Sequence, residues 1–94
     1  MTVVLFRTIG GCRRSAEEQR YIWATMQIWT QLSPAQREKI RALIGRIART
    51  PEEGRALYDV VVRGASPQAA SLRTTVSVRR AYELRREFYE RFDI

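Results

Sequence analysis

Between Arg73 and Arg86 the chain sets five arginines, Arg73, Arg79, Arg80, Arg85 and Arg86, around Tyr82 and Glu83. A guanidinium stays charged at physiological pH and presents a planar fork that fits a phosphate or the outer edge of guanine. On a helix beginning at Ser77, positions 79, 82, 83 and 86 share the face opposite Ala81, Leu84 and Phe88. One face packs and the other is free to enter a groove. Arg79 and Arg86 could then fork onto guanine and Glu83 could accept from cytosine, while Arg73, Arg80 and Arg85 would hold phosphates. The same residues also suit a solvated, ion-paired face, because Glu and Arg recur there at three and four.

The rest of the composition narrows the chemistry. The net charge is +7, and Lys39 is the only lysine among 17 basic residues. An arginine-rich cation suits nucleic acid, although a GC-rich coding sequence would produce the same bias; the net charge itself favours an anionic partner. There is no histidine and a single cysteine, Cys12. The usual zinc constellations, an imidazole base and an intramolecular disulfide are therefore absent. Glu17, Glu18, Glu52 and Glu53 sit where helix caps and dipoles already account for them, and Gly10-Gly11 is a turn and not a phosphate cradle. Neither an enzyme nor a bound cofactor, metal or small-molecule substrate is expected. No apolar run approaches bilayer length, and Thr2 to Ile9 is short, interrupted by Arg7 and without a cleavage site. A soluble cytoplasmic chain is the expectation, with no membrane partner.

The elements that must position the arginines follow from cap signals. With 94 residues the chain is read as one domain, residues 1 to 94. Residues 1 to 10 carry Val3, Val4, Leu5, Phe6 and Ile9, a β-prone run that pairs as a strand, lies on the body as an arm, or stays disordered. Ser15-Ala16-Glu17-Glu18 is a capping box opening a first helix with Tyr21, Ile22, Trp23, Met26, Ile28 and Trp29. Ser33-Pro34-Ala35-Gln36 opens a second, running to about Arg49, with Ile40, Leu43, Ile44 and Ile47 in one stripe. Thr50-Pro51-Glu52-Glu53 reads as a third capping box, and Gly64 as the stop of its helix. Ser66-Pro67 caps a short fourth helix ending near Arg73. Ser77 caps a fifth that runs toward Phe92, anchored by Phe88, Tyr89 and Phe92. The expected fold class is mainly α, a small bundle of about five helices.

From about Arg55 to Phe92 the sequence resembles the helix-turn-helix of sigma-factor region 4 and related phage transcriptional regulators. Ala56-Leu57-Tyr58, the Gly64-Ala65-Ser66-Pro67 junction, Val76-Ser77, and Tyr82 followed by Leu84-Arg85-Arg86-Glu87 carry the resemblance. It implies a helix-turn-helix over residues 65 to 92 and a transcriptional regulator, phage or mobile-element encoded, that reads duplex DNA with the last helix. By the same resemblance the residues reaching bases are Ser77, Val78, Arg79, Tyr82, Glu83 and Arg86. Thr75 stands where that family's turn usually has glycine, so a longer or differently shaped turn is expected.

A reading of another class is a helical protein-interaction module, an inhibitor or adaptor docking through its aromatic first helix. Val4, Phe6, Trp23 and Trp29 are the candidate interface residues, since aromatic side chains are enriched at interfaces. The two readings coexist in a homodimer formed through residues 1 to 31.

Overall fold

Each helix begins where a short side-chain oxygen meets the free amides of a first turn. Ser15 accepts from the Glu18 N–H, Ser33 from Gln36, Thr50 from Glu53, Ser66 from Ala69 and Ser77 from Arg80. The result, in a computed structural model that describes residues 6 to 94, is five α-helices. They are α1 (Ala16–Gln27), α2 (Pro34–Ile47), α3 (Pro51–Val61), α4 (Pro67–Arg73) and α5 (Val78–Arg91). Pro34, Pro51 and Pro67 stand at the starts of α2, α3 and α4, where a missing N–H costs no helical bond. No strand occurs among the described residues.

Two capping boxes are reciprocal, with Glu18 returning to the Ser15 N–H at 3.2 Å and Gln36 to the Ser33 N–H at 2.9 Å. The third is not. Glu53 reaches one residue further back, accepting the Arg49 N–H at 3.0 Å, and turns the rest of its carboxylate toward α5. The helix ends also differ from expectation. α1 stops at Gln27, and a single 3₁₀ turn, Trp29–Gln31, follows, so Trp29 leaves the stripe of the first helix. α2 ends at Ile47, short of Arg49, because Ala48 is already extended. Gly64, at φ 74°, reverses the chain after α3, and the Ala65 N–H returns to the Asp59 carbonyl at 2.9 Å.

α5 packs against α2, α3 and α4. Its buried face, Ala81, Leu84, Phe88 and Tyr89, meets Ile40, Leu43, Ile44 and Ile47 of α2 and Ala56, Leu57, Val60 and Val61 of α3 in one cluster, joined by Ile22 and Met26 of α1. Phe88, Ile40, Leu43, Leu57 and Leu84 are the largest fully enclosed side chains. Each such aliphatic or aromatic burial stabilises by about 1.5–3 kcal/mol. The folded body measures 30 × 30 × 29 Å. Among the described residues no helix is long and apolar enough to cross a membrane.

Ahead of α1 the chain forms a strap. Residues 6 to 9 have no regular structure and turn at Gly10-Gly11, where Gly11 has φ 78°. Gln19, only 3 % exposed, holds both sides of that turn: its Oε1 accepts the Ile9 N–H at 2.7 Å, and its Nε2 donates to the Arg14 carbonyl at 2.9 Å. The far end is tied to α5. The Arg13 N–H donates to Glu90 at 3.0 Å, and the Arg14 guanidinium donates to the carbonyls of Tyr89, at 3.2 Å, and of Phe92. Val4 lies outside the described residues.

Candidate nucleic-acid interface

α4, a turn and α5 stand on α3, and Ala70, Val76 and Ala81 supply the small buried contacts between them. Small residues are required there because two short helices meeting at a tight turn approach closely. The turn holds itself without glycine. Thr74 is extended, with φ −134° and ψ 177°, and no non-glycine residue among those described has a positive φ. The Thr74 hydroxyl donates to the Ala70 carbonyl at 3.0 Å and accepts the Val76 N–H at 3.2 Å. One side chain thereby closes the end of α4 and directs the chain toward the Ser77 cap. Further out, Gln68 Nε2 donates to the Tyr82 hydroxyl at 2.7 Å and ties the two helices together at the surface.

The outward residues of α5 divide by what they already touch. Ser77 spends its oxygen on the cap, and Val78 is 38 % exposed at the first turn. The Arg79 side chain is 92 % exposed and lies 3.4 Å from Glu83. Such a solvated pair is worth under about 1 kcal/mol and opens easily. Tyr82 is 39 % exposed, and Glu83 sits between Arg79 and Arg80. Arg86 is exposed, and its aliphatic stem and guanidinium lie beside Gly11 of the strap.

Arg80 has a different character. Its Nε and Nη2 fork onto the two oxygens of Glu53 at 3.0 and 3.1 Å, and Nη1 reaches Glu83 at 3.3 Å. Both partners of the fork are largely covered. The Arg80 hydrogen bonds hold the Glu53 carboxyl below its ordinary range, against the opposing effect of burial, and Glu53 in turn raises Arg80. Arg80 therefore braces α5 on α3, and a DNA phosphate would have to compete with a bidentate carboxylate for it.

Arg85 is half-buried, with its guanidinium 5.1 Å from the centre of the Tyr82 ring. Among the described residues Arg73, Arg85 and Arg86 have no carboxylate within ion-pairing distance, while Arg79 and Arg80 do. The uncompensated charge of this surface thus comes from both sides of the turn. Ile9 and Gly10 border the first turns of α5 across a groove of about 540 Å³ that Arg79, Tyr82, Glu83, Arg85 and Arg86 also line. The strap is a neighbour of the outer face of α5.

The candidate interface aromatics are turned mostly inward. Trp29 meets the edge of Tyr58 with ring centres 6.2 Å apart, and Trp23 lies 5.9 Å from Phe6. Besides Val78 and Tyr82 on α5, the large apolar side chains left in water among the described residues are Tyr21, Ile28 and Leu72, the last 89 % exposed. Sequence reasoning missed Gln68, Glu53 as the partner of Arg80, and Gln19. For Gln19 a signal existed: it stands three residues before Ile22 and seven before Met26, on the buried stripe. No family model, curated protein or solved structure matches this chain, so the role of the surface rests on its own geometry and charge.

Proposed function

We propose that this chain is a small DNA-binding regulator that lays the outer face of α5 in the major groove of duplex DNA. The observation that carries the reading is the uncompensated charge on a helix-turn-helix: Arg73 and Arg86 have no carboxylate partner among the described residues, and Arg79 is held only by a solvated one. The α4–turn–α5 unit has the order and the bracing that groove-reading pairs use, with one face of the second helix wholly buried and the other open. Arg79 and Arg86 are the base-reaching candidates, with Val78 and Tyr82 beside them. Arg73 is the phosphate contact. Arg80 serves the fold, and Arg85 lines both the groove beside the strap and a second cavity toward α1. A phage or mobile-element origin rests on the resemblance alone.

Binding to random duplex DNA across a salt series tests the reading. Three phosphate or base-edge cations predict a plot of log affinity against log salt with a slope of about −3. Absence of binding at low salt would reject it.

A second reading has its own support. Tyr21 and Ile28 are 60 % and 45 % exposed on and just after α1, away from the reading face. They suit a protein contact, either a partner or a second copy joined through residues 1 to 31. Light scattering at high concentration separates the two, because a monomer removes the homodimer.

A further inference from the structure

A second concave site lies behind the reading helix. It is a cavity of about 470 Å³, bounded by α1, by the Gly64–Gln68 junction between α3 and α4, and by α5. Its size falls within the range of roughly 300–1,000 Å³ typical of small-ligand pockets. Trp23, Met26, Val61, Tyr82 and Tyr89 give it aromatic and aliphatic walls beside the polar Gln27 and Gln68, and among the described residues its only charged lining residue is Arg85. No carboxylate lines it.

Arg85 is also where hydrogen bonding is incomplete. Its Nε is buried and has no partner, although a buried N–H left unmade costs about 1–3 kcal/mol. The guanidinium carbon lies 5.1 Å from the centre of the Tyr82 ring, within cation–π range. Tyr89 adds a phenol whose pKa burial pushes up to about 12, so it stays protonated and able to donate. A guanidinium without a carboxylate partner, set among aromatic side chains, describes a receptor for an anion with a flat body.

We infer that this cavity binds a small organic anion with an aromatic body, whose carboxylate or phosphate pairs with Arg85 while its ring packs against Trp23, Tyr82 and Tyr89. On this inference such a ligand plays the part of an effector. It touches Tyr82 at the point where Gln68 joins α4 to α5, so it meets the helix pair at its outer tie.

The test uses the full chain without DNA, so its outcome is separate from that of the DNA-binding reading. The Nε–H signal of Arg85, assigned by its loss in Arg85→Gln, is followed by NMR during titration with 1-naphthoate, its neutral amide and inorganic phosphate. A saturable shift is expected with 1-naphthoate, with binding about tenfold or more weaker for the amide, because the charge-assisted bond is lost. Calorimetry should find 1-naphthoate binding weakened as much in Arg85→Gln. Ala65→Leu, which fills the cavity from the junction and leaves Arg85 in place, should abolish the shift while thermal stability is retained. A shift that does not saturate, an amide that binds equally, or full binding in Ala65→Leu would overturn the inference. Inorganic phosphate binding as tightly as 1-naphthoate would overturn it too, since the site would then be a phosphate cradle with no use for its walls.

Discussion

Arg80 forks onto Glu53 across 27 residues of sequence, with both contacts near 3 Å and both side chains largely covered. This pair joins the first turn of α5 to the first turn of α3, and it braces one helix on the other. Glu53→Gln should lower stability by about 2 kcal/mol, because Arg80 keeps its charge and loses its forked partner. The same variant should lose part of the acid sensitivity of the fold. The folded Glu53 pKa lies below the ordinary 4.5, so its contribution is complete above that value and disappears as pH falls through the depressed one. Urea denaturation of both proteins at neutral and acid pH measures this, and parallel pH profiles would count against the pair.

Arg79→Ala and Arg86→Ala should leave stability within about 0.5 kcal/mol of the parent, as exposed surface changes do. Each should weaken DNA binding, by about 1–3 kcal/mol if it reaches a base, or with a salt slope shallower by about one if it reaches a phosphate. Unchanged affinity in the double variant at moderate salt would exclude this face as the contact.

Thr74→Val should cost about 1–2 kcal/mol, since it removes both hydrogen bonds of the turn without changing its shape. Thr75→Gly should also destabilise, by up to about 1 kcal/mol, because no left-handed conformation exists there for glycine to relieve. A glycine variant that melted higher would contradict the extended turn.

Gln19→Leu should release the strap. It leaves the Ile9 N–H and the Arg14 carbonyl without their shared partner and should cost about 2 kcal/mol. Hydrogen exchange at the Ile9 amide should quicken far more than at α5 amides. Equal acceleration in both places would mean that Gln19 supports the whole fold and not the strap.

The helix starts were legible because a cap is a local event: Ser15, Ser33, Thr50, Ser66 and Ser77 each act on an amide three residues on. The stripe of α2 and the Phe88, Tyr89 and Phe92 anchor were legible for the same reason, since helical periodicity is written in neighbouring residues. What needed the structure was contact at long range. Helical phase separates Arg80 from Arg79, but only Glu53, far back in the chain, makes one a brace and leaves the other in water. The course of residues 6 to 14 across Gln19, Glu90 and the end of α5 is likewise set by partners far along the chain. Trp29 was misplaced on α1 because the break at Ile28 has no glycine or proline to mark it.

The division of labour along α5 has a further consequence. Ala81, Leu84 and Phe88 hold the helix from beneath and Arg80 holds it from the side, so Val78, Arg79 and Arg86 carry little of the fold. Those three positions behave as a replaceable cassette. Libraries randomised there should remain folded, so new binding surfaces could be selected on this scaffold without first stabilising it.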